Sequence, residues 1–516
     1  MSIIRESYKK KFGFVKTPDK TAEYIISKLG NIKKKHKILD PSVGPGIFVE
    51  KLLKNKIHPS QIYAFDINPL YKKQIKDLGA NFKIKDTLLE IDKDSHNKFD
   101  FIIGNPPYLN KASNYIRENK NRLKKIYGKI NAHETYSMFI VNCIWRLKEG
   151  GILGFITSDS YLTLSTHKKL RKFILETCKI KELLCAPRNL FDNQNVTTNP
   201  AIIILEKCPG IENQINRKEN VMRIIPFVNN EDDYLNPKKI HYIKQNDYDL
   251  LPFNIFYTNI ENGIIKLFEK ANKLDKYLTG YIGMHTHNNQ KYIAAIKGSN
   301  LAKIFEARNK NIVDPNKKYK IIPKQFLRSD KWKPYMKRGG ADQYFRPIIE
   351  ALDWDPKSIS LYDIPEKVPF ESDGIVISGI SSRLAARYIP KGCYWDSNKA
   401  IGFIIKDNSL SIGYVLGLLN SSLYNYLAKG IINNTNSIQL TSLHTLPFIK
   451  PTKELDQQIK VIVDNIIKNK MITSDYDYSN DQKQIDNLIY KYYSKKFNFP
   501  NSLKEKLDSE YSIYQT

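Results

Sequence analysis

The sequence predicts an α/β protein, in which a doubly wound, mostly parallel sheet precedes a C-terminal domain of mixed α+β structure. Two observations predict this fold. In the first half of the chain, short apolar runs alternate with longer helical stretches, which is typical of a parallel sheet with helices on both faces. From about residue 255, basic and aromatic residues mix with frequent turn residues, which favours short strands and loops.

Six apolar runs have the length of a strand in a parallel sheet. They span residues 37–40, 62–67, 82–86, 99–105, 151–157 and 201–207. Helices are predicted over residues 19–29, 48–53, 69–78, 132–147 and 167–178. In the fourth helix, apolar side chains recur at helical spacing and are expected to face a core. They are Tyr136, Phe139, Ile140, Cys143, Ile144 and Leu147.

The length of 516 residues predicts two or three domains. The change in character near residue 255 separates a domain of residues 1–255 from one of residues 256–450. The last segment, residues 451–516, regains helical spacing with many Lys and Tyr. We therefore expect a helical tail there.

The chain carries a large excess of positive charge, with 82 Lys and Arg against 53 Asp and Glu and a net charge of +29. Such a field attracts polyanions and favours nucleic acid or an anionic membrane as a partner. A solvated basic surface is the alternative for any one of these charges. The expected DNA-binding side chains are Arg328, Lys331, Lys333, Lys337, Arg338, Arg346, Arg383 and Arg387.

The spacing of cysteines and histidines predicts neither a metal site nor disulfides. The five cysteines include no CxxC pair, and His285 and His287 stand two residues apart without further ligands beside them. A DNA-contacting loop or plain surface is the favoured interpretation of the two histidines. No apolar run reaches 18 residues and the N-terminus lacks a signal-peptide core, so a cytoplasmic protein without a membrane partner is expected.

Acidic residues stand at three successive predicted strand ends, as Asp40, Asp66 and Asp86. Ligands of a doubly wound sheet bind beyond the carboxyl ends of its strands, where Asp66 could accept from ribose hydroxyls and Asp86 from an adenine amino group. Gly44 and Gly46 follow Asp40 and allow the backbone to approach a ligand closely. Together these residues predict a nucleoside pocket. Taken alone, the glycine loop is equally consistent with a tight strand-to-helix turn.

The fourth predicted strand ends in Asn105-Pro106-Pro107-Tyr108. The Asn105 side-chain oxygen and the Pro106 carbonyl can together accept both hydrogens of an –NH₂ group. The amine of an aromatic base is a poor nucleophile, and two acceptors stabilise the positive charge that grows on it as it attacks. Tyr108 offers a flat face on which a base can stack.

The run Asp40-Pro41-Ser42-Val43-Gly44-Pro45-Gly46, followed by Asn105-Pro106-Pro107-Tyr108, resembles the S-adenosylmethionine-dependent DNA adenine-N6 methyltransferases. The order of motifs is similar to that of the γ class, in which a target-recognition domain comes last. Further segments that resemble this class are 17–18, 136–157, 190–205, 418–421 and 440–447.

The resemblance implies a seven-stranded methyltransferase sheet and S-adenosylmethionine as cofactor. The implied cofactor-binding residues are Thr17, Asp40, Pro41, Gly44, Gly46, Asp66, Asp86, Asn105 and Pro107. The implied catalytic residues are Asn105, Pro106, Pro107, Tyr108 and Phe191. The ring of Phe191 would stack on the face of the base opposite Tyr108.

The resemblance also implies site-specific methylation of N6 of an adenine that is rotated out of duplex DNA, by a monomer that is related to a restriction-modification system. A cognate restriction endonuclease is a candidate partner. Methylation of adenine or guanine in RNA, methylation of cytosine N4 in DNA, and a non-catalytic DNA specificity subunit stay open as alternatives. A protein-glutamine methyltransferase is disfavoured by the basic C-terminal half.

Overall fold

The chain forms two compact units, Met1–Ile260 and Glu261–Thr516. In the computed structural model, the described residues are 13–514 without 92–94, 193, 195–197, 260, 262, 338–339, 398–399 and 434. No helix within these ranges is long and apolar enough to cross a membrane.

The first unit is built on one nine-stranded sheet. Its strands are β1 Ile38–Asp40, β2 Ile62–Asp66, β3 Asn81–Ile84, β4 Phe99–Gly104, β5 Leu147–Ser158, β6 Cys178–Cys185, β7 Pro200–Lys207, β8 Val221–Ile225 and β9 His241–Lys244. Their order is β3-β2-β1-β4-β5-β7-β6-β8-β9. The strands from β3 to β5 pair in parallel, whereas β7 is antiparallel to both of its neighbours.

The α-helices of the first unit lie before, between and after these strands. They are Asp19–Ser27, Ile47–Lys54, Lys72–Asp77, Asn114–Glu118, Lys120–Tyr127, Thr135–Arg146, Ser160–Thr163, Lys168–Thr177, Gln214–Lys218 and Asp247–Leu250. All six apolar residues predicted to face a core from the fourth helical stretch are buried. The predicted α/β fold with a mostly parallel central sheet is therefore confirmed.

The expected number of seven strands is exceeded, because the antiparallel pair β8 and β9 extends the sheet beyond β6. Every second residue of β9 is exposed, which is typical of an edge strand that is covered on one face only. An exposed edge strand carries few apolar residues, and β9 therefore leaves no strong apolar run in the sequence.

The sheet order reverses where β4 follows β1, since the chain first builds outward through β2 and β3 and then returns to the other side of β1. This position is the topological switch point of a doubly wound sheet. The loops that leave β1 and β4 there diverge and open a crevice. The motifs after these two strands are therefore brought side by side.

The described residues of the second unit form three smaller sheets. Its strands are β10 Asn272–Lys273, β11 Leu278–Ile282, β12 Ile293–Ile296, β13 Lys320–Ile322, β14 Trp332–Met336, β15 Glu350–Asp353, β16 Gly374–Ser378, β17 Ala386–Ile389, β18 Tyr394–Trp395, β19 Ala400–Ile405 and β20 Pro447–Phe448. The sheet orders are β11-β19-β16-β17, β13-β12-β15-β14-β18 and β10-β20.

Helices of the second unit concentrate toward its C-terminus. The α-helices are Ile264–Lys270, Asn289–Tyr292, Asn300–Asn309, Pro356–Ile359, Ile412–Asn420, Ser422–Asn425, Leu440–His444, Lys453–Ile472, Ser479–Phe497 and Asn501–Lys506, and the π-helical turns are Tyr426–Ile432 and Leu507–Tyr511. The helix Ile412–Asn420 packs against Lys453–Ile472, so the helical segment after residue 450 is part of the second unit.

Candidate cofactor and amino-group site

A cavity of about 1000 Å³ opens at the carboxyl ends of β1, β2 and β4. Its walls bring together residues that are far apart in the sequence and that the motifs had singled out. These residues are Thr17, Asp40, Pro41, Asp66, Asp86, Asn105 and Pro107. Its volume is at the upper end of the range that small-molecule sites occupy.

The loop after β1 needs glycine at two positions. Gly44 and Gly46 have φ of +52° and +100°, a conformation that side chains disfavour. A Cβ on Gly46 would lie 2.5 Å from the Ile75 side chain, and one on Gly44 would lie 2.9 Å from the ring of Phe14. The glycines shape the loop. Val43, which precedes Gly44, and Pro45, which lies between the two glycines, line the cavity.

The carboxylate of Asp66 braces this loop. One of its oxygens accepts from the Gly44 N–H at 2.8 Å and the other accepts from the Asn68 N–H at 2.8 Å. Burial raises the pKa of Asp66, and these two backbone N–H groups partly oppose the shift. Each oxygen has a second lone pair, so the carboxylate can still accept from a ligand in the cavity.

Asp40 is buried at the end of β1 and accepts from the Ser42 N–H at 3.1 Å. Burial raises its pKa to about 8, and the negative charge of Asp66 adds to the shift. In the free protein Asp40 is therefore mostly protonated at neutral pH. A cation beside it would favour the charged carboxylate.

Asp86 caps the turn after β3. Its carboxylate accepts from the N–H groups of Leu88 and Leu89 and from the hydroxyl of Tyr115 at 3.0 Å. Burial raises the pKa of Asp86. Tyr115 also lines the cavity, which places a phenol ring beside this carboxylate.

The amide of Asn105 is oriented by the segment that precedes the first helix. Its Nδ2 donates to the Val15 carbonyl and to the Thr17 hydroxyl, both at 3.1 Å. The amide oxygen Oδ1 is buried and has no hydrogen-bond partner among the residues that the structure describes. A buried acceptor without a donor is costly, and it is expected where a ligand supplies the missing N–H group.

The turn that carries Asn105 is clamped by Thr135. The Thr135 hydroxyl donates to the Pro107 carbonyl and accepts from the Leu109 N–H at 2.9 Å, while the Thr135 N–H donates to the Leu109 carbonyl at 3.0 Å. Among the described residues, none donates to the Pro106 carbonyl. Two acceptors, Asn105 Oδ1 and the Pro106 carbonyl, are therefore available on one turn.

The rings of Tyr108 and Phe191 contact each other edge to face, with centroids 5.9 Å apart and planes inclined by 73°. A base stacked between two parallel rings needs them about 7 Å apart, twice a carbon–carbon contact distance. The expected sandwich is therefore not formed in this structure. Phe191 instead packs in the core cluster of the first unit, and neither ring lines the cavity.

Several cavity residues were not predicted from the sequence. Phe14 and Tyr71 line the wall beside the glycine loop with ring centroids 6.3 Å apart, and Tyr115 and Thr135 lie near the other strand ends. Phe14 stands three residues before Thr17, so an aromatic residue close to a predicted motif could have indicated a place in the cavity wall. Tyr115 and Thr135 follow no strand and gave no such signal.

The proposed DNA-binding side chains of the second unit differ in exposure. Arg328 and Lys331 are exposed, and Lys333 and Arg383 are half-buried. Lys337 is paired with the buried Asp396. The Arg346 guanidinium lies 3.2 Å from the Glu350 carboxylate, and Arg338 lies outside the described residues.

The assignment of Arg387 to a DNA-contacting surface is wrong. This residue is fully buried, and its guanidinium donates to the Asp342 carbonyl at 3.1 Å and to the Ser378 hydroxyl at 2.9 Å. Burial lowers its pKa to about 10. Charge density in a sequence cannot distinguish a side chain that a sheet covers from one that solvent reaches.

Fold and site define the class of the first unit: a doubly wound domain with a cofactor-sized crevice and an unpaired amide acceptor at its switch point. Residues 26–191 match the family model described as Eco57I restriction-modification methylase, and residues 294–448 match the TaqI-like C-terminal specificity domain. The chain therefore carries a restriction-modification methylase domain followed by a specificity domain. The resemblance drawn from the motifs is confirmed at this level.

Individual relatives support the same assignment. The Type II methyltransferase M.BstVI of Geobacillus stearothermophilus is 26% identical over 247 residues, which are 40% of this chain and 43% of the relative. The modification methylase CviBIII of Paramecium bursaria Chlorella virus NC1A is 30% identical over 178 residues, which are 34% of this chain and 43% of the relative. The chain thus spans less than half the length of these curated relatives.

Among solved structures, the type IIL restriction-modification enzyme MmeI in complex with DNA is similar to this chain with a TM-score of 0.57. The likeness covers 95% of this chain and 74% of that one, at 12% sequence identity. At this identity the likeness concerns the fold alone.

Proposed function

We propose that this protein is a site-specific DNA methyltransferase that uses S-adenosylmethionine to methylate N6 of an adenine in duplex DNA. The observation that carries the proposal is the amide of Asn105. Both of its donor contacts are made within the protein, and its oxygen is buried without a partner at a cofactor-sized cavity. An amino group is the ligand that such an acceptor and the neighbouring Pro106 carbonyl would hold together.

The walls of the cavity fit the proposed cofactor. Asp40, Asp66 and Asp86 place acceptors at three strand ends, where an adenosine offers ribose hydroxyls and an amino group. S-adenosylmethionine supplies the methyl group when bound and carries positive charge. The protonated Asp40 of the free protein would ionise beside a cation, which gives this buried carboxyl a role in binding.

The chain's own residues would act on the amino group by position and electrostatics. Asn105 Oδ1 and the Pro106 carbonyl would accept its two hydrogens and stabilise the charge that develops on nitrogen. Tyr108 would supply a stacking face once its contact with Phe191 opens. No side chain is required to remove a proton before the methyl group is transferred.

Duplex DNA is the proposed substrate of the whole chain. A base inside a helix is out of reach of a buried amide, so the target adenine would be rotated out of the stack. The specificity domain match covers Arg328 and Lys331, which are exposed and are candidates for phosphate contacts. A related restriction endonuclease is a proposed partner in the cell.

Replacing Asn105 with alanine tests this function. We expect the variant to lose methyl transfer, because the acceptor of the amino group is removed. It also loses the bonds from Nδ2 to Val15 and Thr17, and we expect it to bind S-adenosylmethionine and DNA within a few-fold of wild type. Asn110→Ala is a matched control, since Asn110 is exposed and its side-chain oxygen accepts only from the nearby Ala112 N–H at 2.9 Å.

The assay would follow labelled methyl transfer to duplex DNA and to RNA, with the product identified by nucleoside mass spectrometry. Wild-type turnover in Asn105→Ala would refute the role of the amide. Methylation of RNA only, or of cytosine only, would refute the proposed substrate while leaving the amide's role intact.

A further inference from the structure

The second unit places a carboxylate, that of Asp363, beside the two histidines of the loop after β11. His285 and His287 lie against Asp363, and one ligand atom from each lies within 4.8 Å of the others. Sequence spacing predicted no metal there, because Asp363 is far along the chain from both histidines. From this juxtaposition we infer that His285, His287 and Asp363 form a binding site for Zn²⁺ in the specificity domain.

The backbone holds this loop firmly on both sides. His285 and Asp363 exchange two backbone hydrogen bonds of 3.0 and 2.9 Å, as an antiparallel pair does. Met284 and Trp395 bond through the Met284 N–H at 2.9 Å. Thr286 between the histidines is buried, and the two imidazoles lie on the outside of the anchored loop. The positions of the candidate ligands are therefore largely set without a metal.

Distances between side-chain atoms favour a metal with nitrogen ligands. The Nδ1 atoms of His285 and His287 are 3.2 Å apart. Two nitrogens at about 2.0–2.1 Å from a tetrahedral zinc ion lie about 3.3 Å from each other. Imidazole ligands select zinc and similar transition metals over Mg²⁺ and Ca²⁺, which prefer oxygen.

Asp363 supplies the group that orients a zinc-binding histidine. Its carboxylate lies 2.8 Å from Nε2 of His287. In the tautomer with a hydrogen on Nε2, His287 donates to this carboxylate and its lone pair on Nδ1 is directed toward His285. A ligating histidine commonly has such a carboxylate on its second nitrogen. His287 keeps a φ of +57°, an uncommon conformation that holds its ring in this place.

The test measures Zn²⁺ binding to the full, untagged chain by equilibrium dialysis, and so does not depend on the proposed methylation. We expect wild type to bind one Zn²⁺ per chain at this site. The double variant His285→Gln/His287→Gln should lose at least tenfold in affinity, and Asp363→Asn about tenfold, as expected for an orienting group. His58→Gln, at an exposed histidine of the first unit, should bind as wild type does.

A double variant that binds Zn²⁺ as tightly as wild type would overturn the site, as would a wild type that binds none. If the double variant fails to fold, X-ray absorption of wild-type protein with one Zn²⁺ decides the question. Two imidazole nitrogens at about 2.0–2.1 Å support the site, and a spectrum without imidazole overturns it.

Discussion

Thr135→Val tests whether the clamp on the Asn105–Tyr108 turn serves catalysis. Valine keeps the shape of threonine and removes the hydroxyl that bonds the Pro107 carbonyl and the Leu109 N–H. A fully buried backbone group left without a partner costs about 1–3 kcal/mol, and these two part-buried groups should cost no more than that. A loss of 1 kcal/mol lowers the melting temperature of a unit of this size by about 2–4 °C.

The larger effect is expected on turnover. A shift of about 1 Å in a reacting group can cost about 100-fold in rate, so we expect kcat to fall by one to two orders of magnitude. The KM for S-adenosylmethionine should change far less, because the clamp acts on the turn that is proposed to hold the amino group. Single-turnover methylation of duplex DNA and a thermal melt of each variant measure the two effects.

Two variants serve as controls for this prediction. Thr135→Ser keeps the hydroxyl and should restore most of the turnover. Thr177→Val removes a hydroxyl that bonds only the Phe173 carbonyl of its own helix and the neighbouring Cys178 sulfur, so turnover should stay near wild type. If Thr135→Val lowers the melting temperature but leaves kcat unchanged, the clamp is structural and the reasoning is refuted.

Three further predictions concern charged side chains. The pKa of Asp40 is raised to about 8 in the folded protein, whereas that of an unfolded aspartate is about 4. The folded protein therefore loses free energy of unfolding as pH rises from about 4 through 8, because the buried carboxyl must ionise. Asp40→Asn should therefore melt increasingly above wild type as pH rises across this window, and a pH-independent difference in melting temperature would contradict the assignment. Arg387→Met should lower the melting temperature, since it removes the bonds to Asp342 and Ser378. Arg328→Gln should leave the melting temperature unchanged. It should reduce the slope of log K for DNA binding against log salt concentration by about one, which binding titrations at several salt concentrations measure.

The strands most readily predicted from the sequence are those that are buried and form a continuous apolar run. Strands β1, β4 and β5 lie on both sides of the switch point and are largely buried, and each produced a clear apolar run. Strand β9 was missed because its exposed residues dilute that pattern. Strands β6 and β8 were also absent from the six predicted runs, and β6 lies inside the sheet between β7 and β8, so the missed strands were not confined to its edge.

At the candidate site, the sequence motifs identified the residues at the strand ends. They did not identify the cavity residues that other segments contribute. Asp40 and Asp66 end their strands and Asn105 directly follows β4, at the edge where a parallel sheet binds its ligands. Thr135 arrives at the start of a helix, and its contact with Pro107 depends on how that helix packs. Packing between distant segments leaves no local pattern in a sequence.

The burial of individual basic side chains could likewise not be predicted from the composition of the segment. Arg328 and Arg387 belong to the same basic region, and the first is exposed while the second fills the interior. The relation between Tyr108 and Phe191 depends on ring orientation, which no spacing of residues records.

The orientation of the Asn105 amide has a kinetic consequence. Val15 and Thr17 fix it through bonds within the protein, so the acceptor already faces its target direction before any ligand arrives. A site whose amide was turned into place by the cofactor would have to bind cofactor first. Under the proposed function, the Asn105 amide itself therefore imposes no order on the binding of cofactor and nucleic acid.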